Sequence, residues 1–166
     1  MTYGNVRDPS IDLSVLFGDL GTSDSSLVLE TLRASDDRLQ DLAEEAGRLV
    51  GIAYRHTGLD YFPNGPELAG GPSGEAGDLW FEINRSRDAP IWTVSYRLVV
   101  FCNRELTGQT LGYSCTHDLV ATTTHAFSPK EAVALLDAQI TSAARDLKAR
   151  SVEEFRGVAH DGLPAD

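Results

Sequence analysis

The clearest alternation of apolar and polar positions runs from Trp92 to Asn103. Trp92, Val94, Tyr96, Leu98, Val100 and Cys102 alternate with Thr93, Ser95, Arg97, Val99, Phe101 and Asn103. A period of two sends one set to each face of a strand. Leu79, Phe81 and Ile83 alternate likewise with Trp80, Glu82 and Asn84, and Ser86–Pro90 supplies the turn between the two runs. Leu106–Gln109 reads as a hairpin turn, after which Leu111, Tyr113 and Cys115 alternate again. Leu119–Phe127, rich in β-branched threonine, predicts a further strand. Together these runs predict an antiparallel meander of three to four strands.

Helical periodicity flanks this region. Ser35 reads as an N-cap with Asp36 and Asp37 in the positively polarised first turn. Leu39, Leu42, Ala46, Leu49, Val50 and Ala53 then recur at helical spacing, and Gly58 is placed to end the helix. Asp37, Asp41, Glu44 and Arg48 fall on the opposite side. Ser25-Ser26 can open a shorter helix carrying Leu27, Leu29 and Leu32, and Asp8-Pro9 can open another. Ile11, Leu13, Val15 and Phe17 suit either a strand or a short helix. At the other end, Ser128-Pro129-Lys130-Glu131 is a capping box, and Val133, Leu136, Ile140, Ala143, Ala144 and Leu147 form the stripe that would pack on the sheet.

The fold class expected is therefore α+β: N-terminal helices, an antiparallel three- to four-stranded meander and a C-terminal helix packed on it. At 166 residues the chain fits a single domain spanning 1–166. Residues 1–7 and 158–166 are expected to be loose termini. The stretch 59–77, with its prolines and glycines, is expected to be a long loop.

Charge changes this picture more than any motif does. Of eleven net negative charges, eight lie between Asp8 and Glu45, where ten acidic residues face only Arg33 and Arg38. That surplus opposes contact with nucleic acid, which needs clustered Lys and Arg, and with anionic membrane. It suits another protein as partner, for which a basic surface would be complementary. The N-terminal residues show no basic patch followed by an apolar run, so no signal peptide is expected and the expected compartment is cytoplasmic. With lysine only at positions 130 and 148 against twelve arginines, the composition suggests a high-GC bacterial source. The two cysteines are expected to be free thiols.

Candidate chemistry is sparse. Cys115 and His117, two apart on a strand, could place a thiol beside a base, with Arg97 and Tyr113 nearby in a pocket between sheet and helices. Cys102, Cys115, His117 and His125 lack the paired spacing of a zinc site. Asp19–Glu30 fails as a calcium loop because Gly21 and Asp24 stand where a ligand and the turn glycine are required. Gly70–Gly74 lacks the lysine and hydroxyl of a phosphate loop. No cofactor and no metal are therefore expected. Tyr61 and Phe62 in the Pro/Gly-rich stretch, together with Asp37, Asp41 and Glu44, are the candidate partner-binding residues. The function these features suit is a small acidic protein-binding module: an inhibitor or immunity-type factor, an adaptor or an assembly subunit. The alternatives are a small metal-independent enzyme or ligand-binding domain, and an oligomeric structural protein using a strand edge.

Overall fold

The strongest alternation forms the centre of the sheet. In a computed structural model describing residues 4–50, 54–74, 77–101 and 116–149, β6 (Gly77–Arg85) and β7 (Trp92–Phe101) pair antiparallel. Their register runs from Gly77↔Val100 to Arg85↔Trp92. Leu79, Phe81, Ile83, Trp92, Val94, Tyr96 and Leu98 are buried on the face that meets the helices. Phe81 and Tyr96, directly opposite one another, stack with ring centroids 5.1 Å apart. β8 (Thr116–Ala126) pairs antiparallel with β7 through a register shift at Leu98/Val99. The expected 106–109 turn, the 111–115 strand and the terminus 158–166 lie outside the described residues.

The α+β class and the C-terminal helix are present, but the sheet is larger than a three- to four-stranded meander. Among the described residues it contains eight strands. Three of the additional ones fall within the stretch expected to be a loop: β3 (Asp60–Phe62), β4 (Glu67–Gly70) and β5 (Pro72–Gly74). β4 and β5 both pair with β6 and form one strand bent at Gly70-Gly71. β2 (Tyr54–His56) and β3 pair with β5 and β4 respectively, as a second strand bent around Gly58. Gly58, Gly70 and Gly71 thus bend strands here instead of ending them, while Pro63–Pro66 makes the turn from β3 to β4. Nor is the expected loose terminus 1–7 loose from Gly4 onward: β1 (Gly4–Asn5) pairs with β3, and Val6 is fully buried and donates its N–H to Leu59 O at 3.1 Å.

The helical region also differs from expectation. After α1 (Ser14–Phe17), a single 30-residue helix, α2 (Gly21–Val50), replaces the two shorter ones. Ser35 and Asp36 are not its start. They lie mid-helix on its buried stripe, between Val28 and Leu32 on one side and Leu39, Leu42, Ala43 and Ala46 on the other. Gly58 is not its cap either, since β2 intervenes. Asp8-Pro9 opens no helix; the Asp8 carboxylate instead accepts the Ser10 N–H at 2.9 Å, a side-chain turn.

α3 (Pro129–Ala149) begins at the expected capping box. The Glu131 N–H donates to Ser128 Oγ at 3.1 Å, while Glu131 Oε2 accepts the N–H of Phe127, one residue earlier than the ideal pattern. Val133, Leu136, Ile140, Ala143 and Leu147 are buried against the sheet and α2. Gln139, also buried, donates from Nε2 to Val94 O at 2.9 Å. Arg38 of α2 clamps the two helices, reaching the Asp137 carboxylate and carbonyl and, at 2.6 Å, Thr141 Oγ1. Among the described residues, no helix is long and apolar enough to cross a membrane.

One core position gives a direct test of this packing. Ser35 Oγ is enclosed with no hydrogen-bond partner among the described residues. An unsatisfied buried hydroxyl is unfavourable, and alanine is the better helix former. Ser35→Ala is therefore expected to raise stability by up to about 1 kcal/mol in urea unfolding. A loss of stability would show that the hydroxyl has a partner.

Candidate functional site

The acidic segment divides by job once its residues are placed. Asp8, Asp12 and Asp19 each accept a backbone N–H two residues on, from Ser10, Ser14 and Gly21, at 2.9, 2.9 and 3.2 Å. The Asp12 bond supports the start of α1 and the Asp19 bond the start of α2. For Asp8 and Asp12, the hydrogen bonds from Ser10 and Ser14 hold the carboxyls below their ordinary values. Asp24 pairs with Lys130 at 3.0 Å, joining the beginnings of α2 and α3. Glu45 pairs with Arg48 within the helix. Asp41 and Glu44 are exposed and make no ion pair among the described residues, so they form a solvated helix face.

Asp36 behaves differently from all of these. Its side chain is 1% exposed, and both oxygens are engaged. Oδ1 accepts from His56 Nε2 at 2.7 Å and from the Leu59 N–H at 3.0 Å, while Oδ2 is paired with Arg7 Nε. Burial pushes this carboxyl up, yet the bonds from His56, Leu59 and Arg7 outweigh burial and hold it below its usual value. His56 Nδ1 accepts the Gly58 N–H at 3.3 Å, which assigns the imidazole proton to Nε2. Both ring nitrogens are thus occupied. The pair has the Asp–His contact of a catalytic dyad but no free nitrogen to act on a substrate. Its work is to join α2 to β2, to the β2–β3 bend and, through Arg7, to the N-terminal strand. Arg7 also pairs with Asp37, which is therefore part of this clamp as well as of the exposed helix face.

The remaining candidates separate. Tyr61 is 4% exposed on β3, opposite Leu68 and Gly4, and belongs to the core; it is not an accessible anchor. Burial first, and then the charge of Asp12, push its phenol up. Its hydroxyl lies near the Val15 and Leu16 backbone but forms no well-shaped hydrogen bond among the described residues. Phe62, next along the strand, is half-buried. Arg97 projects from the sheet face opposite the helices, where its guanidinium holds Asp118 at 2.8 and 3.1 Å. It therefore does not enter a pocket between sheet and helices. Cys115, Tyr113 and Cys102 lie outside the described residues; the His117 backbone pairs with Val100 in the sheet. His125 is exposed on β8. Among the described residues, no three His, Cys, Asp or Glu side chains converge to hold a metal ion.

A surface not singled out by the sequence lies where α1 and its flanking residues face the first turns of α2, whose start is tied by Asp24–Lys130 to that of α3. Trp92 organises it. Its indole N–H donates to Leu16 O at 2.8 Å, its ring meets Phe17 at 6.5 Å, and Arg85 lies over it at 5.5 Å. Between residues 11–20 and the first turns of α2 runs an open groove of about 560 Å³. Leu13, Phe17, Leu20 and Leu29 supply its apolar walls, and Asp12 and Asp19 its charges. The large hydrophobics most exposed among the described residues, at 49, 49 and 67%, are Val15 on α1, Leu27 in the second turn of α2 and Phe127 just before α3, whose start the Asp24–Lys130 pair ties to that of α2. The signal available in the sequence is the repeated Asp-x-Ser/Gly at 8, 12 and 19, a run of side-chain-capped turns that folds the segment back on itself. No family model, curated protein or solved structure matches this chain.

Proposed function

We propose that this protein is a small acidic protein-binding module, of the inhibitor, adaptor or assembly-subunit kind. Its partner docks on the end built by α1 and the starts of α2 and α3. The observation that carries this reading is the exposure, by about half or more, of Val15 and Leu27, each next in sequence to residues that line the groove, and of Phe127 just before α3. Apolar side chains exposed singly are ordinary, but several on elements that flank a groove of mixed apolar and polar lining mark a contact surface. The acidic surplus of the same segment favours a partner with a basic surface and disfavours nucleic acid and anionic membrane. In this reading the protein acts in the cytoplasm. Asp41 and Glu44 are not in the contact: they lie about 20 Å farther along α2, beyond a Debye length at physiological salt.

The test is capture from a lysate of the source organism with the immobilised wild-type chain and with a Leu27→Glu/Phe127→Ser variant. A partner is expected on the wild type at low salt, released at high salt and absent from the variant. If wild type and variant retain the same proteins, or neither retains any, the reading fails.

A further inference from the structure

We infer that the groove between residues 11–20 and the first turns of α2 is a peptide cleft for a basic amphipathic segment of a partner protein. This rests on the protein-binding reading and specifies it. The cleft's volume, about 560 Å³, is enough for apolar side chains of a bound segment. Its apolar walls are Leu13, Phe17, Leu20 and Leu29, hydroxyls from Ser and Thr side chains share the lining, Asp12 and Asp19 supply formal charge, and no Lys, Arg or His lines it. The positive pole of α2 opens at the same place, but the Asp19 carboxylate accepts the Gly21 N–H and Asp24 stands in the first turn, so its field is answered. Among the described residues, the cations near the groove are held by the chain itself: Arg33, one turn beyond Leu29 on α2, donates to the Val6 and Asp8 carbonyls, and the Arg85 guanidinium lies close to Gly18 at the groove's edge. Arg85 lies over Trp92 and donates to Val15 O at 3.4 Å, and Lys130 is paired with Asp24.

The chemistry that complements this cleft has an apolar face to fill the walls and Lys or Arg beside it to meet Asp12 and Asp19. A purely apolar segment would leave the two carboxylates unanswered, and an acidic one would be repelled. An amphipathic helix with basic flanks meets both requirements. Residues 11–20 are held by side-chain-capped turns as well as by packing, and so present the acidic rim already in place. Asparagine can make the same caps without the charge, which separates the two roles of these residues.

The probe is a fluorescently labelled peptide of leucine and lysine in helical amphipathic order, with the matching leucine–glutamate peptide as control. Binding to the full chain is followed by anisotropy at low salt and mapped by amide chemical shifts. The lysine peptide is expected to bind and the glutamate peptide not to bind, with the largest shifts within residues 11–29. Asp12→Asn/Asp19→Asn should weaken binding about tenfold while leaving the fold unchanged by circular dichroism, two lost ion pairs being of that order. Asp41→Asn/Glu44→Gln should bind like wild type. Shifts centred on the 37–44 face, or equal binding by the Asn variant, would overturn the cleft while leaving the protein-binding reading to the capture experiment. No binding of the lysine peptide would likewise overturn the cleft alone. Loss of capture by both wild type and variant would overturn the broader reading.

Discussion

Asp36→Ala is expected to destabilise the fold by about 3–5 kcal/mol, the range for removing one partner from a buried charged network. The loss has specific sources. Without the carboxylate, the His56 Nε2–H and the Leu59 N–H have no acceptor in a place water reaches poorly, and Arg7 loses its buried counterion. Because these groups lie on β2, on the β2–β3 bend and after β1, the damage should spread beyond α2. Hydrogen exchange should show the amides of residues 4–7 and 54–62 losing protection together. A loss below about 1 kcal/mol would mean that the cluster is dispensable.

The same cluster gives a pH dependence with a definite sign. The Asp36 carboxyl is held below its unfolded value, so its contribution is complete above that value and disappears as pH falls through the lower folded one. Wild-type stability should therefore decline below about pH 4, and Asp36→Ala should show a shallower decline over that range. Parallel acid limbs for the two proteins would locate the acid sensitivity in other carboxylates, of which Asp8 and Asp12 are also held low.

Gly70→Ala is the second change of large expected effect. A Cβ at this position would lie 1.7 Å from Gly58 O, 2.7 Å from Gly58 C and 3.2 Å from Leu59 Cα. All three are backbone atoms, so no rotamer change relieves the contact, and the two bent strands would have to separate. The bends nest here: the Thr57 hydroxyl donates to Gly71 O at 2.9 Å, and Gly71 itself has φ +146°. The expected loss is at least about 3 kcal/mol, the upper end for overpacking, or failure to fold. Gly65→Ala, where nothing lies within 4 Å of the added carbon, should stay within about 0.5 kcal/mol of wild type. Similar melting temperatures for the two variants would show that the nested bends can open.

The contrast between these residues and the central strands shows how far local pattern reaches. β6, β7 and α3 are legible because each is long enough to repeat its period several times, and because the buried face of each is almost wholly apolar. The short strands β2 to β5 are not, since three or four residues cannot display a period and their glycines read as ends of structure. The start of α2 is hidden for a related reason. Ser35 and Asp36 look like the start of a helix because short polar residues cap helices when water surrounds them. Here they sit on the buried stripe of a continuous helix, made tolerable for Asp36 by partners 20 and more residues distant.

For the candidate surface the division is similar. The concentration of acid between Asp8 and Glu45 is a property of composition, as is the kind of partner it disfavours. Its distribution of labour is not: capped turns at Asp8, Asp12 and Asp19, a buried clamp at Asp36, a solvated face at Asp41 and Glu44. The groove needs residues 11–20 folded back against α2 and anchored by Trp92, a contact across 76 residues. By itself the sequence determined the α+β class, the central antiparallel pair, the capped C-terminal helix and the sign of the molecular charge, because each follows from neighbours a few residues apart. Only the tertiary structure decided which acids are buried, which aromatics are core and where the apolar surface remains exposed. Burial is a relation between distant segments, and no local period records it.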